Sequence, residues 1–230
     1  MITKLSFQTT ALAGLFVLGA MAAAHAAPIA GTGLRGGFTG DLTYAAGNNT
    51  MATLKISLTN TSPAANGGYI TAFVLNNPAN QITTISSFSD TAGTFSLLGL
   101  GNNTVKGTPN GYFDFGASTG SGFEGGGSPK TGIAVGATDS FTFVLTGTKL
   151  SSLTTNSFLT EFSTGTGIGE GAATFDVRFR GFIDGGSDKV VLGGEGSGGG
   201  GATTKIPEPA SMALLGAGLA GVGLLRRRSK

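Results

Sequence analysis

The chain has 230 residues, of which 11% are charged, 42 are glycine, 16 are phenylalanine and none is cysteine. Without cysteine there are no disulfides, no thiolate catalysis and no Cys-ligated metals, while 40% hydrophobic residues suffice for a packed core. Five of the 14 basic residues lie in the terminal segments, leaving nine against all 12 acids between Ala27 and Pro209; that net charge of −3 lacks the basic footprint of nucleic-acid binding.

Residues 1–26 read as a secretory signal peptide with an apolar helix. Lys4 supplies positive charge, Ala11 to Ala24 is an uncharged apolar run, and Ala24-His25-Ala26 fits the small-x-small pattern cut by signal peptidase, here after Ala26. The only histidine, His25, leaves with this segment. A mature chain without His or Cys excludes a Ser-His-Asp triad, a His-ligated metal and imidazole acid–base catalysis.

From residue 27 to 192, period-two alternation predicts strands. Candidate strands run over Gly33–Tyr44, Leu54–Leu58, Ile82–Phe88, Thr94–Leu98, Gly111–Phe115, Phe141–Leu145, Phe158–Phe162 and Phe175–Phe182. Tyr69 to Leu75 is apolar on both faces, which marks a central strand. Asn- and Gly-rich turns separate the runs, and helical periodicity is confined to about one turn near Lys149 to Leu153. The expected fold is all-β: a single β-sandwich domain, jelly-roll or immunoglobulin-like. Phe141, Phe143, Phe175, Val177 and Phe179 should share its core, so Phe143→Ala or Phe179→Ala should be severely destabilising. Arg178→Ala, on the opposite face, should cost little.

That opposite face carries the candidate ligand surface. Strict alternation would place Arg178, Arg180 and Phe182 together with Asp176 beside them, two guanidiniums and a ring suited to an acidic polysaccharide. Tyr112 and Asp114 would form a second aromatic–carboxylate pair. Asp114, Glu124, Asp139, Glu161, Glu170 and Asp176 are available for two-carboxylate glycoside cleavage, but nothing in the sequence pairs them. Asp184-Gly185-Gly186-Ser187-Asp188 could offer oxygens to Ca²⁺ but lacks the ligand spacing of a calcium loop, and a tight turn explains it as well. No catalytic residue, metal site or cofactor is assigned, and the domain is read as not an enzyme.

Residues 193–205 form a linker, with seven glycines among the nine residues from Gly193 to Gly201. Residues 206–230 form the tail. Pro207-Glu208-Pro209 precedes the apolar run 210–225, and Arg226-Arg227-Arg228 follows at once. Sixteen helical residues would span roughly 24 Å against a bilayer core of about 30 Å, a short transmembrane helix. The arginines place its end in the cytoplasm and the domain outside. Small residues recur at Ala213, Ala217 and Gly221.

Proline, acid, proline, a short glycine-containing apolar run and an arginine cluster in that order resemble the PEP-CTERM sorting signal. The resemblance implies a bacterial protein, exported to the cell envelope, outer surface or extracellular matrix. It implies processing by an exosortase-like enzyme at Pro207, Glu208 and Pro209, and transient or stable anchoring in the cytoplasmic membrane. It gives an address rather than an activity. The expected function is therefore a structural or adhesive envelope or matrix protein associated with exopolysaccharide. The alternative is a secreted carbohydrate-binding protein or a two-carboxylate polysaccharide-acting enzyme.

Overall fold

A computed structural model describes residues 25–99, 101–167 and 170–194. Its strands, numbered in chain order, are β1 (Ala26–Thr32), β2 (Gly37–Ala46), β3 (Met51–Asn60), β4 (Gly67–Leu75), β5 (Ile82–Asp90), β6 (Ser96–Gly99) and β7 (Val105–Lys106). They continue with β8 (Tyr112–Phe113), β9 (Phe115–Ser118), β10 (Ile133–Ala134), β11 (Thr138–Gly147), β12 (Phe175–Phe182) and β13 (Ser187–Val191). One short helix, α1 (Thr155–Thr160), lies between β11 and β12.

Alternation sorts these strands into two sheets. In β3, Ala52, Leu54, Ile56 and Leu58 are buried while Met51, Thr53, Lys55 and Ser57 are not. In β11, Phe141, Phe143 and Leu145 behave alike. A strand wet on one face can only register one way, because a slip of one residue would expose all of these side chains. The first sheet runs β1-β2-β3-β11-β5 and the second β13-β12-β4-β9-β6, with antiparallel neighbours throughout. In the second sheet β4 is central, as its two apolar faces predict: β12 lies along one side, and β9 and β10 share the other.

The sheets meet across an aromatic core. Phe73 of β4 lies 4.6 Å from Phe141 and 6.2 Å from Phe143 of the first sheet, ring centre to ring centre, and 5.7 Å from Phe175 beside it. Phe38 of β2 meets Phe175 at 6.0 Å. All five rings are fully or almost fully buried.

The second sheet is covered on its outer face too. On either side of β9 the chain leaves the sandwich: it forms the β7–β8 pair between β6 and β9, and between β9 and β10 it folds back over β4 and β12. Val105, Phe113 and Phe123 from these excursions pack with Ala72 and Val74 of β4, Leu98 and Ala173 in a second, smaller core.

Several elements depart from the alternation pattern. Phe158, Leu159 and Thr160 form the end of α1 where a strand is expected: Thr154 and Ser157 cap the helix reciprocally, and Phe158 packs on Tyr44 with ring centres 5.2 Å apart. Gly111–Phe115 divides into β8 and β9, because the Asp114 carboxylate turns inward to accept the backbone N–H groups of Asn77 and Asn103. β2 begins only at Gly37, since residues 33–36 turn tightly and Asp188 accepts the N–H groups of Arg35 and Gly36. The turn expected near Lys149 is a single 3₁₀ turn, Leu150–Ser152.

β1 is a strand that alternation does not mark, and Ala26, the residue before the expected cut, is its first position. Pairing along β1 also carries two residues into the expected linker: the Gly193 N–H donates to Ala30 and the Thr32 N–H to Gly194. Ala24 and the apolar runs at both ends lie outside the described residues. Among the described residues no helix is long and apolar enough to cross a membrane.

Candidate functional site

The outer face of β12 carries the sequence-predicted ligand residues, and the structure does not leave them on one face. Phe175, Val177 and Phe179 enter the core as expected. At Gly181 the backbone adopts φ +73°, a left-handed conformation that glycine takes at little cost. A Cβ there would also meet Pro129 at 2.9 Å. The alternation reverses at this residue. Phe182 turns into the core, is 4% exposed and stacks on Phe179 with ring centres 6.3 Å apart. Arg178 and Arg180 therefore do not share a face with Phe182.

The two arginines are occupied by the excursion that covers them. Arg178 Nη1 donates to the Glu124 carboxylate at 2.8 Å and to the Phe123 carbonyl at 3.2 Å. Arg180 Nη1 donates to the Gly126 carbonyl at 2.8 Å. Lys189 of β13 stands directly opposite Arg178, a like-charge pair that would repel if left alone. Glu124 relieves it by accepting from both cations, at 2.6 Å from Lys189 Nζ and 2.8 Å from Arg178. Lys189 also donates to the Thr108 carbonyl and lies 5.8 Å from the centre of the Phe123 ring. Burial pulls the Arg178 guanidinium below its ordinary pKa, and Glu124 opposes that pull.

Beneath this cluster lies Asp176. It is fully buried, accepts one hydrogen bond from the Asn110 amide at 2.8 Å, and has no partner for Oδ1 among the described residues. Desolvation raises its pKa to about 7, against the lowering effects of Asn110 and Lys189.

Asp114, Asp139 and Glu170 hold backbone in place. Asp114 takes two N–H groups, at 2.7 and 2.5 Å, and so is not available beside Tyr112. Asp139 accepts from Thr91, Ala92 and Ser140, and Glu170 from Thr166 and Gly167. Glu161 ends α1. Asp184 pairs with Arg35 at 2.7 Å, which lowers its pKa, and Asp188 caps the turn containing Arg35. The Asp184–Asp188 segment is thus a turn clasped by Arg35. Among the described residues no three His, Cys, Asp or Glu side chains converge as a metal site would require.

Covering changes what Arg178 contributes. Its side chain is only 11% exposed, so the small cost that alternation predicts for Arg178→Ala gives way to a larger one. The variant should lose about 1–3 kcal/mol, as a buried charge-assisted contact does when one partner is removed, and its 119–127 segment should become protease-sensitive. Urea melts and limited proteolysis measure both; a loss within about 0.5 kcal/mol with unchanged cleavage would refute the clasp.

The address, unlike the domain, is written in the tail. Residues 205–228 match the family model of the PEP-CTERM protein-sorting motif. The chain carries a PEP-CTERM protein-sorting motif. The match takes in Pro207, Glu208, Pro209, Arg226, Arg227 and Arg228, all outside the described residues. PEP-CTERM sorting makes this an exported, envelope-directed substrate of an exosortase. The motif covers the tail alone and assigns no chemistry to the sandwich. No curated protein and no solved structure matched the chain.

Proposed function

We propose that this PEP-CTERM protein presents a non-catalytic structural or adhesive domain at the outer surface or in the extracellular matrix, in association with exopolysaccharide. Signal peptidase releases its N-terminus at Ala26, and the apolar run 210–225 holds it in the cytoplasmic membrane until or unless the exosortase cuts. The observation that carries the non-catalytic reading is the employment of the acids. Glu124 is held by two cations, Asp176 has no exposed surface, and Asp114, Asp139 and Glu170 are occupied by backbone amides. A two-carboxylate hydrolase needs an acid and a base that both reach the glycosidic bond.

The test joins location to activity. Replacing Pro207, Glu208 and Pro209 with alanine should leave an unprocessed, membrane-retained form, whereas the natural chain is found in the outer envelope or matrix fraction with the producing cell's exopolysaccharide. Incubation with that polysaccharide should release no new reducing ends. Release of reducing ends would overturn the structural reading, and unchanged mass and location of the alanine variant would overturn the role of the three residues.

A further inference from the structure

Where β4 ends and the chain crosses to β5, the Pro78–Asn80 turn and residues 101–115 border a cavity of about 350 Å³. That volume falls in the ~300–1,000 Å³ range of small-molecule sites. Its polar wall is Asn77, Asn80, Asn102 and Asp114, and its apolar wall Ile82 and Phe115.

Two of these polar groups build the site and two are unspent. Asp114 is fixed by the N–H groups of Asn77 and Asn103. The Asn77 amide is spent on Ile82, donating to its carbonyl at 2.8 Å and accepting from its N–H at 2.9 Å. The side-chain amides of Asn80 and Asn102 make no hydrogen bond to any other described residue. The backbone beside them is strained. Ala79, Asn80 and Asn103 have φ of +51°, +55° and +59°, three of the four non-glycine residues with positive φ among those described. Such conformations persist where surrounding structure enforces them, and they cluster at ligand sites.

The lining selects a ligand class. Among the described residues no Lys or Arg borders the cavity, so a phosphate or uronate would enter without a counter-charge from them. A lone carboxylate with both oxygens already accepting N–H groups is a poor seat for a divalent cation. Two free amides, each a donor and an acceptor, match the hydroxyls of a polyol, while Ile82 and Phe115, 8% and 2% exposed, close the cavity floor from the core side. We infer that this cavity binds a neutral sugar residue of a glycan, with Asn80 and Asn102 as its hydrogen-bonding residues. The inference rests on the proposed association with exopolysaccharide and gives that association a site and a sugar class.

The test uses the full chain in detergent on immobilised dextran, galactan and mannan, with polygalacturonate as the anionic counterpart. The variant is Asn80→Gly with Asn102→Ala, since glycine keeps the positive φ while removing the amide. The natural chain should bind at least one neutral polysaccharide, and the double variant should bind it about tenfold or more weakly at an unchanged melting temperature. Equal binding by the double variant overturns the site and leaves the glycan reading standing. Tighter binding of polygalacturonate than of any neutral polymer overturns the sugar class. Absence of binding to all four overturns the inference, and retention on the producing cell's own exopolysaccharide then decides whether the broader reading falls with it. A variant that fails to fold is replaced by Asn102→Ala alone, held to the same comparison.

Discussion

Truncating Phe73 to alanine is expected to lower unfolding free energy by about 3–5 kcal/mol, the usual cost of removing a buried ring. Phe73 is fully buried and touches rings from both sheets, with Phe141 and Phe143 on one side of the interface and Phe175 on its own. Its loss leaves a cavity at the centre of the sandwich that three neighbouring rings cannot all collapse to fill. Against a total stability of roughly 5–15 kcal/mol the domain would be close to unfolding. Urea melts followed by circular dichroism measure the change, with Phe162→Ala as the comparison. Phe162 is 58% exposed, and its variant should stay within about 0.5 kcal/mol of the natural chain. If the two variants were equally stable, the sheets would not meet at Phe73.

The second large effect depends on pH. Asp176 ionises near 3.8 when solvated and at about 7 in the folded protein, so between those values the folded state holds a proton that the unfolded state has released. The stability associated with this proton is complete below about pH 3.8, erodes as pH rises, and is gone above about pH 7. Asp176→Asn keeps the shape and removes the charge. It should therefore be more stable than the natural chain at pH 8, by about 4 kcal/mol at ~1.36 kcal/mol per pKa unit. The two should converge near pH 4. Urea midpoints for both proteins at pH 4, 6 and 8 give the difference curve, and parallel curves would mean that the carboxylate is not buried without full compensation.

How much of this could be read from sequence depends on which faces are wet. β3 and β11 were legible because each has one buried and one solvated face, and Leu54, Ile56, Phe141 and Phe143 declare it. β12 was legible as far as Phe179. Beyond it, the conformation of one glycine decides where Phe182 points, and alternation carries no information about φ. The helix at Thr155–Thr160 was hidden in a short apolar run too brief to show a period, although the Thr154–Ser157 cap lay in the sequence.

The outer layer over the second sheet left a clear sign, since a segment apolar on both faces, Tyr69 to Leu75, must be covered on both. The identity of the cover was not legible. Gly126 receives Arg180, and Phe123 receives Arg178, through carbonyl groups that every residue possesses. The cavity beside Asn80 was hidden for another reason: its walls come from residues about 20 to 35 positions apart, joined only when Asp114 reaches the backbone at Asn77.

The position of β11 between β3 and β5 governs the order in which the molecule can assemble. For a chain led across a membrane by its N-terminus, β1, β2 and β3 can zip as neighbours while β5 waits for residues 138–147. The central strand β4 waits longer still for β12, about a hundred residues downstream. Contacts so distant in sequence close slowly, and unpaired edges are exposed in the interval. The last stitch, Gly193 and Gly194 onto β1, forms only when almost the whole domain has emerged, with the sorting motif next in line. A secretion block before β12 would therefore strand the central β4 without one of its partners, and the exposed intermediate would be a substrate for proteases rather than a shorter working domain.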